Sequence, residues 1–233
     1  MQPIRIGLIG DFSERHRAHT AVPTALQAAS KAVETVWVAT DSVGNSQSLA
    51  DLHGLWCVPG LPYRSAEGAM AAIRHARITR TPFLGTSGGF QYAILEFARD
   101  VLGLSEAGHQ EVNPKSPMPL IAPLNNALSG VKARVRFLDG SRLRSIYGAP
   151  DSVEEYHCSF GLNERYRRLI EGGELSVAAV DDRNEVRAVE LDRHPFFIAT
   201  LFEPERRAGQ SPLVQAFVEC SAGRQQGGAK AAG

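Results

Sequence analysis

An α/β protein with a mostly parallel central sheet is the fold class that the sequence predicts, on three observations. Short apolar runs alternate with helical periods through the first half of the chain. Those runs are continuous rather than alternating, as strands covered on both faces require. One of them passes directly into a helix through a Gly-rich turn. In order, residues 4–9 make the first strand, stopped by Gly10-Asp11. A helix is expected over 20–32, with Val22, Leu26 and Ala29 on one face and Pro23 in its first turn. Strands follow over 36–39 and 55–58, the second stopped by Pro59-Gly60, and then an Ala-rich helix over 66–77. Residues 82–85 form the fourth strand and 88–101 the helix behind it.

The second half is more mixed. A Pro- and Asn-rich loop over 113–126 leads to an alternating strand over 131–138. Further strands fit 156–160, 175–180, 186–191 and 196–202, with a short helix over 164–170 and a closing helix over 212–221. The expected architecture is a three-layer α/β/α domain over 1–222 with a smaller antiparallel addition. Residues 223–233, rich in Gly, Ala and Gln, read as a disordered tail.

Composition excludes several function classes. The 25 Lys and Arg balance the 25 Asp and Glu, so no cationic footprint for nucleic acid or an anionic membrane is present. The cluster Arg165, Arg167, Arg168 is interleaved with Glu164 and Glu171 and reads as a solvated helix face. Cys57, Cys158 and Cys220 are odd in number and lack metal-ligand spacing, which points to a reducing compartment with neither a disulfide framework nor a metal. The chain goes straight into a strand with no leader pattern, and no apolar run is long enough to span a bilayer. A cytoplasmic protein without cofactor is the expectation.

Gly85-Thr86-Ser87-Gly88-Gly89 carries the chemistry signal. It matches the nucleophile-elbow pattern G-x-S-x-G in its expected place between strand and helix. Small neighbours permit the sharp turn, one side chain is pushed out over the sheet edge, and the helix N-terminus faces it. Backbone N–H groups there can hold an oxyanion.

Five ordered blocks bring the chain close to a known family. Ile6-Gly7-Leu8-Ile9-Gly10-Asp11 resembles the first strand of the C-terminal glutaminase domain of CTP synthase, a class I glutamine amidotransferase. Trp56-Cys57-Val58-Pro59-Gly60 resembles the strand carrying its Val-Pro-Gly-Gly oxyanion loop, and Arg64-Ser65-Ala66-Glu67-Gly68 the Arg-Gly-x-x-Gly that follows. Residues 82–91 are similar to Pro-Tyr-Leu-Gly-Ile-Cys-Leu-Gly-Met-Gln, and 194–205 to the stretch ending Gln-Phe-His-Pro-Glu. The resemblance spans nearly the whole chain and implies a flavodoxin-like sheet.

It also implies altered chemistry. Ser87 stands at the family's nucleophilic Cys, Glu203 at its His base, and Glu205 keeps the triad carboxylate. Gly60 of the oxyanion loop is kept beside the elbow's Gly88, but the loop's second Gly is Leu61, and the Arg that grips the glutamine carboxylate falls at Ser159. Gln91 and Glu111 match glutamine-binding positions. A serine needs an adjacent base more than a cysteine does, and two carboxylates do not recreate an imidazole. The expected reading is a standalone relative, without the synthetase part, that binds a small amine or amino acid and has lost glutaminase activity; no protein partner is indicated. Two others stay open. Ser87 can act as a hydrolase nucleophile with His157 or Glu203, since strand alternation puts His157 on the same face as Ser159. Alternatively Cys158 supports a thiol or redox role, reaching the pocket if a bulge reverses that parity. Cys57 and Cys220 read as packing, and charged residues of the 11–16 loop as solvated.

Overall fold

The computed structural model describes residues 2–44, 49–171 and 173–231, with side chains up to 225. The first half folds as β1 (Ile4–Ile9), α1 (Arg17–Ala29), β2 (Val33–Val38), β3 (Gly54–Cys57), α2 (Ala66–Thr79), β4 (Phe83–Thr86) and α3 (Gly88–Glu96). A π-helical turn, Phe97–Val101, closes α3. The second half adds β5 (Ala107–His109), β6 (Met118–Phe137), α4 (Arg142–Tyr147), β7 (Asp151–Leu162), α5 (Arg167–Glu171), β8 (Leu175–Val180), β9 (Val186–Leu191), β10 (Phe197–Thr200) and α6 (Pro212–Ala231).

One mixed sheet runs β2-β1-β3-β4-β10-β9-β8-β6-β5, with β7 paired to β6. The first five strands in that order are parallel, which is the flavodoxin-like arrangement. From β10 onward the β9, β8 and β6 pairings are antiparallel. Helices α1 and α6 pack together, and α2 packs against α3, giving a layer on each face. Every residue of β3 and β4 is buried, as expected of continuous apolar strands under two helical layers. Between them Trp56 Nε1 donates to Thr86 Oγ1 at 3.0 Å, so the one polar atom of this large core side chain is satisfied.

Differences from the sequence expectation lie in the second half. The segment read as a loop over 113–126 is strand from Met118, paired in parallel to β5 and antiparallel to β7. Its register is broken near Pro119 and Pro123, where a proline cannot donate to the ladder. Partner strands, not local propensity, extend it. The missed α4 is capped by Ser141, whose hydroxyl accepts from Arg144 N–H, and ends on Gly148 at φ 63°. Helix α6 continues to Ala231, past the Gly223 boundary set for a disordered tail; residues 232–233 lie outside the described residues.

Candidate active site

The elbow forms where β4 meets α3. Ser87 has φ 54° and ψ −106°, a conformation costly for a residue with a Cβ. Neighbours hold it there: Ser87 N–H donates to Thr200 O at 2.9 Å and Gln91 N–H to Ser87 O at 3.3 Å. Gly89 is required by close approach, because a Cβ on it would lie 2.1 Å from Cys57 O. Gly60 sits at φ 119°, a conformation that only glycine adopts readily. Its loop is pinned by His19, a buried residue of α1. The ring's Nδ1 accepts from Ser13 N–H at 2.9 Å, so Nε2 carries the proton and donates to Pro59 O at 2.7 Å. Burial lowers the pKa of His19, consistent with this neutral tautomer.

Leu61, beside Gly60, lies over the elbow: a Cβ on Gly88 would be 2.8 Å from Leu61 Cγ. An isobutyl group thus covers the α3 N-terminus where an oxyanion would approach. Ser87 Oγ itself is hydrogen-bonded to Cys158 Sγ at 2.6 Å. Cys158 also donates to Leu201 O at 3.5 Å and is almost fully buried. Burial pushes its thiol up to about 12, leaving about one thiolate in 10⁵ at pH 7.

The geometry corrects the expected role of His157. Glu154, Tyr156 and Cys158 alternate inward along β7, so His157 and Ser159 do share a face, but Cys158 is the residue that meets Ser87. The ladder irregularities lie on β6, and β7 keeps its alternation. Tyr156 packs edge-on to Phe202, so the inner face of β7 sits on the segment behind β10 and delivers Cys158 to the elbow. His157 Nε2 pairs instead with Glu155 Oε1 at 2.9 Å. Both His157 and Ser159 still border the same cavity of about 360 Å³, along with Gly60, Leu61, Ser87, Gly88, Gln91, Glu111, Cys158 and Glu203.

Glu203 is only 2% exposed and accepts a short hydrogen bond from Arg206 Nε. Arg206 Nη1 also lies 3.7 Å from Glu155. Burial raises the Glu203 pKa against the opposing pull of Arg206. Glu205 is buried without a donor from any other described residue, and burial together with the Glu203 charge raises its pKa well above the usual range. No hydrogen bond joins Ser87 to Glu203, Glu205 or His157. Among the described residues no group of three or more His, Cys, Asp and Glu is placed to hold a metal ion.

On the other side of the elbow, Gln91 is committed to the fold. Its Nε2 donates to Phe160 O at 2.8 Å, and its Oε1 accepts from His109 Nε2 at 2.8 Å, with His109 Nδ1 taking Glu111 N–H at 3.3 Å. Burial lowers the His109 pKa to about 4, so the ring is neutral. Asp11 is likewise structural, accepting from Thr40 N–H, Thr40 Oγ1 and Arg64 N–H. His109, His19 and Arg206 were not found by sequence reasoning. Arg206 alone had a signal, its i,i+3 spacing from Glu203.

A strained strand-to-helix elbow above the carboxyl ends of a flavodoxin-like sheet places the molecule among the elbow-bearing α/β proteins. The narrower class follows from sequence. The Glutamine amidotransferase class-I family matches residues 18–219, and the chain belongs to that family. It is 30% identical over 240 residues to a CTP synthase of Saccharolobus solfataricus, covering 94% of this chain and 45% of that protein. With a CTP synthase of Pyrobaculum aerophilum the identity is 32% over 219 residues, covering 87% and 41%. The chain therefore spans less than half the length of these relatives. Its fold is similar to the glutaminase domain of Trypanosoma brucei CTPS with bound acivicin, at TM-score 0.86 and 23% identity over 94% of each chain. Among the described residues no helix is long and apolar enough to cross a membrane.

Proposed function

We propose that this chain keeps the class I amidotransferase pocket as a binding site for a small amine or amino acid and does not hydrolyse glutamine. The observation that carries this reading is the Ser87 hydroxyl, hydrogen-bonded to a neutral buried thiol and to no base. The neighbouring facts support it. Glu203 is engaged by Arg206, Glu205 holds its proton, and Leu61 covers the approach to the helix N-terminus. A hydrolase based on Ser87 lacks the same proton acceptor. A redox role for Cys158 lacks thiolate character and access.

The test is ammonia release from L-glutamine by the purified chain beside Ser87→Ala, with calorimetric titration of amino acids and simple amines. Binding without turnover is expected. Steady turnover that disappears in Ser87→Ala would overturn the reading.

A further inference from the structure

We propose that the cavity takes an acidic α-amino acid, its two carboxylates read by Arg15 and Arg17 and its ammonium group by Glu111. This rests on the binding-site reading above and names its ligand class. The inference comes from which charges along the cavity wall are already committed. Arg206 is held by Glu203 and Glu155, and His157 by Glu155. Arg15, Arg17 and Glu111 border the same cavity, and their charged groups make no hydrogen bond or ion pair with any described residue. Two guanidinium groups and one carboxylate are left to be balanced, and a ligand that balances them carries two negative groups and one positive.

Placement agrees with a two-ended grip. Arg15 and Arg17 come from the connection behind β1, and Glu111 from the connection behind β5, strands on opposite sides of β4 in the sheet order. The two charge types therefore face the elbow from opposite directions. Between them the other surfaces offer no free charge: Leu61 covers the elbow, Gln91 is spent on Phe160 and His109, and Ser159 is neutral. Guanidinium forks match carboxylates in shape as well as charge. Glu111, partly desolvated, gains most from a cation brought to it.

Calorimetry at low ionic strength with L-glutamate, L-glutamine and glutarate tests this. L-glutamate is expected to bind about tenfold more tightly than L-glutamine, the contribution of one charge-assisted contact. The exposed pair of replacements Arg15→Ala and Arg17→Ala should abolish that preference with an unchanged melting temperature. Glu111→Gln should bring L-glutamate down to the level of glutarate. L-glutamine binding as tightly as L-glutamate, or a preference that survives the double replacement, would overturn the inference. Binding of neutral amino acids or simple amines without L-glutamate would overturn it while leaving the binding-site reading standing. No binding by any amine or amino acid would overturn both.

Discussion

The two walls of the cavity are built in opposite ways. The elbow wall is made by backbone: Gly60, Ser87 and Gly89 are held in place by main-chain hydrogen bonds and by approaches too close for a side chain. The facing wall, from β7 and the segment behind β10, is made by side-chain charge: Glu155, His157, Glu203, Glu205 and Arg206 within one network. A backbone wall fixes position and tolerates no added volume. A charge wall fixes chemistry, and every member depends on its neighbours remaining in place.

The largest effect should come from breaking the backbone wall. Gly89→Ala puts a Cβ 2.1 Å from Cys57 O, an atom that cannot step aside. Little or no folded protein is expected, a loss above about 4 kcal/mol, read by urea denaturation. A cost within about 1 kcal/mol would mean the β3–α3 approach is adjustable after all.

Next comes the charge wall. Arg206→Ala leaves the 2%-exposed Glu203 without its cation and should cost about 3 kcal/mol at neutral pH. Adding Glu203→Gln should recover most of that. A double variant no more stable than Arg206→Ala alone would show that Arg206 acts by packing.

The smallest effect is a slope. Glu205 in the unfolded chain ionises near 4.5, whereas the buried group keeps its proton to well above that value. Between the two values the folded state holds the extra proton, so stability falls as pH rises, by at most about 1.4 kcal/mol per pH unit. Glu205→Gln removes this loss, and its melting temperature should gain on the wild type from pH 5 to pH 8. Parallel pH profiles for the two proteins would mean Glu205 is ionised in the fold.

How far each wall was legible follows from its construction. The elbow announced itself because glycine spacing between an apolar strand and a helix is local information, and the backbone wall depends on nothing else. The charge wall depends on β7 crossing behind β10, a contact between residues far apart in sequence. Strand alternation correctly grouped His157 with Ser159 but could not say which face met Ser87. His109 reaches Gln91 across 18 residues and left no pattern at all. The 118–126 segment looked like a loop because its prolines are local breakers, while its strand character comes from β5 and β7.

The strained backbone of Ser87 has one more consequence. Its φ of 54° is enforced by Thr200, Gln91 and the surrounding glycine contacts, none of which involves the serine hydroxyl. Whatever side chain occupies residue 87 is therefore presented at the same point above the sheet. The fold conserves an address while leaving the occupant open to exchange, so reactivity can be gained or surrendered there one substitution at a time without refolding the protein around it.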